Sequence, residues 1–107
     1  MSWWSALFGM GNGKIRQALQ QEGGVVIDLR PAPEFDQGHI PGALNIPVDR
    51  IRASIPRIRD LNKPVILCSG NGEHCWNAMS ILKQGGVTRV YVGGGWESVW
   101  KLKKMHG

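Results

Sequence analysis

Lys63-Pro64-Val65-Ile66-Leu67-Cys68-Ser69-Gly70-Asn71-Gly72-Glu73-His74-Cys75-Trp76 is the stretch from which the fold can be read. The apolar run Val65-Ile66-Leu67 predicts a short buried strand that delivers Cys68 into a small loop punctuated by glycine. The segment from Cys75 to Gln84 has apolar residues at helical spacing and predicts a helix directly behind that loop. In such a unit the loop N–H groups converge and the positive end of the helix faces them. Both effects favour a thiolate, the reactive form of cysteine. The stretch is therefore a candidate site for sulfur chemistry or for a phosphate-type anion.

The same pattern extends on both sides. Ile15, Ala18 and Leu19 recur at helical spacing, which predicts a first helix over Lys14 to Gln21, ended by Gly23-Gly24. Val25 to Leu29 is rich in β-branched residues and predicts a buried strand. Pro31 and Pro33 open a brief helical turn through Asp36, and Gly38 to Gly42 is turn chemistry. A short strand is expected over Ala43 to Ile46, then a helical stripe of Ile51, Ile55 and Ile58 with Asp49 as its N-cap. Val90 to Val92 predicts a further strand, after which Gly93-Gly94-Gly95 turns the chain into a last helix carrying Trp96, Val99 and Trp100 on one face. Strands alternating with helices imply an α/β fold with a mainly parallel central sheet flanked by helices on both faces. Ligands bind such sheets beyond the carboxyl ends of their strands.

Composition narrows the function classes. A chain of 107 residues with 42% hydrophobic and 20% charged content is one small globular domain. Its net charge of +5 suits an anionic small molecule, but the basic residues lack any nucleic-acid-binding motif, so no nucleic acid partner is expected. Two cysteines, Cys68 and Cys75, are too few for a disulfide scaffold and too far apart for a CxxC pair. A metal site with His74 between them would need His39 or His106 as a further ligand, and the nucleophile reading is preferred. Free thiols imply a reduced, cytoplasmic setting. Residues 1–13 form an apolar N-terminal segment, too short to span a membrane, ahead of a domain over residues 14–107. Trp3, Trp4, Leu7 and Phe8 are expected to pack on the domain; the alternative is a peripheral contact made by Trp3, Trp4 and Phe8.

Three motifs carry a family resemblance. Asp28-Leu29-Arg30 followed by Glu34-Phe35-Asp36-Gln37-Gly38-His39-Ile40-Pro41-Gly42-Ala43 resembles the first signature of the rhodanese family. Val90-Tyr91-Val92-Gly93-Gly94-Gly95-Trp96 resembles its second, with the cysteine loop between them. The resemblance covers roughly residues 14–102 and implies a single-domain rhodanese-like sulfurtransferase. Such an enzyme takes a sulfane sulfur from thiosulfate or a persulfide onto its loop cysteine. It then passes the sulfur to a thiol, cyanide or protein acceptor, with no metal or organic cofactor.

The loop departs from the family form Cys-x-x-Gly-x-Arg, since no arginine follows Cys68. Two registers compete. Aligning Gly72 and the helix without a gap puts Ser69 at the nucleophile position and His74 at the arginine position, which describes a catalytically inactive binding or regulatory module. Taking Cys68 as the nucleophile gives a Cys-x5-His loop, one residue longer, as in relatives with phosphatase or arsenate reductase activity. Those enzymes use an arginine fork that His74 does not supply. The expected catalytic residue is Cys68, with Ser69, Gly70, Asn71, Gly72 and Glu73 as the anion cradle. His74 and Arg30 are expected to bring positive charge to the substrate, and Cys75 is a possible resolving thiol. The alternatives are an ordinary turn for the cradle, a small buried hydrophobe for Cys68 and a core-facing helix residue for Cys75. Glu73 belongs in an anion cradle only if its side chain points outward. Asp28, Arg30, Glu34 and His39 are read mainly as structural, with Asp28 and Arg30 paired, and Trp96 and Trp100 as core.

Overall fold

The computed structural model describes residues 3–105, and side chains from residue 12 onward. Among them four strands form one sheet in the order β2-β1-β3-β4, every pair parallel: β1 Val25–Asp28, β2 Leu44–Asn45, β3 Val65–Ser69 and β4 Val90–Gly95. The helices are α1 Trp3–Gln20, α2 Ala32–Gln37, α3 Ile55–Leu61, α4 Cys75–Gln84 and α5 Trp96–Lys104.

Side-chain alternation along the strands divides the core in two, because successive residues point to opposite faces. Ile27, Val65 and Leu67 pack with Ile58 of α3 and with Cys75, Ala78 and Leu82 of α4. Val26, Ile66 and Cys68 pack on the other face with Ile15 and Ala18 of α1 and Val99 of α5. The expected α/β sheet covered on both faces is thus present. Fully burying a side chain such as Leu82 or Ile66 contributes about 1.5–3 kcal/mol.

Three local expectations are corrected. Helix α1 begins at Trp3 rather than Lys14, so Gly9, Gly11 and Gly13 lie within helix and do not interrupt it. The contacts expected of Trp3, Trp4, Leu7 and Phe8 lie outside the described side chains. Asp49 caps no helix: it sits inside the 3-10 turn Val48–Arg50, a second turn covers Arg52–Ser54, and α3 starts at Ile55 with Pro56 in its first turn. Proline is tolerated there because the first-turn N–H groups have no intrahelical acceptor. Finally, the glycine run 93–95 belongs to β4, with an irregularity where Cys68 pairs Gly94 rather than Gly93. A Cβ on Gly93 would fall 2.5 Å from Val99 Cγ2, so only glycine lets α5 approach the sheet this closely.

The chain leaves β1 outward to β2 and returns on the other side of β1 as β3. The crevice between the carboxyl ends of β1 and β3 is the ligand position that such a reversal creates.

Candidate functional site

A cavity of about 350 Å³ occupies that crevice. One wall is the end of β1 and the start of α2, with Leu29, Arg30, Pro31 and Glu34. The other is the loop after β3, with Ser69, Gly70, Asn71, Glu73 and His74. All the expected loop residues except Gly72 line it, and so does Arg30. Cys68 does not.

Cys68 lies within β3, paired to Asp28 in β1 and Gly94 in β4, rather than in the loop. It is fully buried on the α1/α5 face. Burial pushes its thiol pKa well above the ordinary range, the charge of Asp28 adds to the rise, and Arg30 only partly opposes it. Ser69 is the next residue, so it points to the opposite face, toward α4 and the cavity wall. The period of two makes the registers exclusive: one residue of this pair faces the cavity.

Cys75 is also buried, in the α3/α4 half of the core. Its Sγ lies 4.0 Å from Ser69 Oγ and 4.0 Å from the Gly94 carbonyl. Burial raises its pKa as well, although those two contacts work the other way. The two thiols therefore belong to opposite halves of the core. Both are free.

Arg30 reaches the cavity with its charge already engaged. Its Nε and Nη2 donate to the buried Asp28 carboxylate at 3.0 and 2.8 Å, and Nη2 donates to the Gly38 carbonyl at 2.7 Å. The Trp96 ring covers the guanidinium, 4.5 Å from Cζ to the ring centroid. Asn45 completes the network by donating to the carbonyls of Asp28 and Arg30 at 3.1 and 2.8 Å. The expected Asp28–Arg30 pair is present. His39 stays at the exposed edge of this region, bonded to the Phe35 carbonyl through Nδ1 at 2.7 Å and stacked on the Phe35 ring.

The loop is held differently. Gly72 has φ +92°, and a Cβ there would meet the Gly94 backbone at 3.3 Å. His74 is exposed and takes the left-handed conformation at φ 68°, an uncommon state for a side chain of its size, immediately before α4. Glu73 is exposed, and its carboxylate folds back on its own loop: Oε1 accepts the Asn71 N–H at 2.8 Å. That bond first, and the Ser69 hydroxyl nearby, hold its carboxyl below the ordinary carboxylate range.

Sequence reasoning missed two contributions. Glu34, read as structural, supplies a carboxylate to the cavity wall, and Trp96, read as core, covers the Arg30 guanidinium. The spacing of Trp96 and Val99 carried the signal for a helix face, but nothing in it points to Arg30. No cluster of potential metal ligands occurs among the described residues. No described helix is long and apolar enough to cross a membrane.

The Rhodanese-like domain model matches residues 12–102. The chain belongs to the rhodanese-like domain family. It is 38% identical over 87 residues to the thiosulfate sulfurtransferase GlpE of Pseudomonas fluorescens, covering 79% of this chain and 77% of that protein. It is 32% identical over 84 residues to the uncharacterized protein YibN of Escherichia coli, covering 75% of this chain and 57% of that one. A solved structure described as a rhodanese with anions from Escherichia coli superposes with a TM-score of 0.63 at 30% identity, covering 70% of this chain and 89% of that one. These relatives support membership of a sulfurtransferase-like family.

Proposed function

We propose that this chain is a rhodanese-like binding module, whose cavity between β1 and the Ser69–His74 loop takes a small ligand or a partner's side chain without forming a cysteine persulfide. The observation that carries the reading is the side-chain alternation of β3, which turns Ser69 to the cavity and Cys68 into the opposite half of the core. A serine hydroxyl does not accept sulfane sulfur as a thiolate does, and a thiol whose burial raises its pKa supplies little thiolate at neutral pH. Trp76, 69% exposed at the start of α4 beside the loop, adds an apolar surface for a partner. The reading keeps residues 14–107 as the working domain and a reduced cytoplasmic setting in which both thiols remain free.

Formation of thiocyanate from thiosulfate and cyanide tests it. The expected result is a rate equal to that of Cys68→Ala.

The 38% identity to a thiosulfate sulfurtransferase favours a second reading, sulfur transfer through Cys68. Here the Cys68 thiolate attacks the outer sulfur of thiosulfate, sulfite leaves, and a persulfide remains. Cyanide then takes the outer sulfur as thiocyanate and restores the thiolate. This chemistry requires the buried Cys68 thiol to become accessible from the cavity. Thiocyanate formation lost in Cys68→Ala would put this reading first. Cys-x5 phosphatase or reductase chemistry has less support, because the cavity has no free arginine fork: Arg30 is held by Asp28.

A further inference from the structure

The loop after β3 contains its own anion. Glu73 Oε1 accepts the Asn71 N–H at 2.8 Å, and a Cβ placed on Gly70 would lie 3.1 Å from the same oxygen. The carboxylate therefore lies back over the Gly70–Asn71 backbone, and Gly70, Asn71 and Glu73 all line the cavity. The lowered pKa of this exposed carboxyl has the same origin: the Asn71 N–H first, then the Ser69 hydroxyl.

We propose that Glu73 is a built-in occupant of the loop's donor groups, so that the cavity's affinity for oxyanions is latent and appears when this carboxylate is displaced or removed. The inference deepens the binding-module reading and rests on it. Three observations support it. The Asn71 N–H, a donor that an oxyanion would use, is already bonded. A carboxylate tethered two residues away competes at a high effective concentration against any free anion. The remaining charges do not offset it: Glu34 lines the same cavity, and the Arg30 guanidinium is neutralised by Asp28. The resting cavity therefore disfavours sulfate-like anions.

Amide-resolved NMR titration with sodium sulfate at constant ionic strength tests the proposal on wild type, Glu73→Ala and Asp60→Asn. Asp60 is exposed on α3, which leads into the opposite end of β3, so its variant removes one negative charge away from the loop. The expected result is about tenfold or more tighter sulfate binding in Glu73→Ala, read at the Gly70 and Asn71 amides, with Asp60→Asn like wild type. Equal affinity in Glu73→Ala and wild type, absence of binding in both, or the same gain in Asp60→Asn would overturn it. Glu73→Gln, which keeps the shape and removes the charge, is expected to lie between the two. Intact mass of the same samples after thiosulfate separates the two levels. A sulfur added at Cys68 would overturn the binding-module reading, while the sulfate titration alone decides whether Glu73 occupies the loop.

Discussion

At the carboxyl end of β1, Asp28 and Arg30 satisfy one another inside the molecule, whereas at the carboxyl end of β3 an exposed carboxylate, Glu73, holds the loop from its own side. The first region is buried, bidentate and cross-linked to Gly38, Asn45 and Trp96. The second consists of short-range contacts open to solvent. Breaking a buried pair strands a charge in low dielectric, so the β1 region tolerates little change. Exposed loop contacts contribute little to stability, so the loop sequence can vary without loss of the fold.

The largest expected effect comes from breaking the first region. Asp28→Ala leaves the Arg30 guanidinium uncompensated and should lower stability by about 3–5 kcal/mol, measured by urea unfolding. A loss below about 1 kcal/mol would mean that the two regions are not energetically distinct. Next, Gly93→Ala places a methyl against Val99 and Ile66 and should cost about 1–3 kcal/mol by the same measurement. Smaller and opposite in sign, His74→Gly relieves a left-handed side-chain residue in the loop and should raise stability by about 0.5–1 kcal/mol.

A further effect is one of pH. Folding raises the pKa of Cys68 and of Cys75, so the folded state holds both protons after the unfolded chain begins to lose them. Their contribution is full below the unfolded thiol pKa of about 8.5 and is lost as pH rises beyond it. Stability should therefore fall through the alkaline range, and Cys68→Ala should flatten that fall in unfolding curves taken at stepped pH. An identical slope in the variant would contradict the buried-thiol description.

The legibility of these features follows their physical origin. The β1, β3 and α4 segments were readable because burial leaves an apolar signature: Val25 to Ile27 and Val65 to Leu67 are continuous apolar runs, and Cys75 to Gln84 has the helical period. The Asp28–Arg30 pair was readable because both residues belong to one local motif. The orientation of Cys68 was not. Adjacent residues on a strand face opposite ways, and no local signal tells which of Cys68 and Ser69 faces the cavity until the pairing with β1 and β4 is fixed. Nor was the fold-back of Glu73 onto its own loop, since its partner is a backbone N–H whose direction the sequence does not encode. Asp49 misled because a cap residue and a 3-10 turn residue have the same composition.

The cavity meets residue 69 and not residue 68. Intact mass after thiosulfate treatment of wild type and Ser69→Cys tests it most directly. The expected result is no sulfur on the wild-type chain and a gain of one sulfur atom, removed by cyanide, on Ser69→Cys. A cyanide-labile sulfur on the wild-type chain, absent from Cys68→Ala, would contradict it.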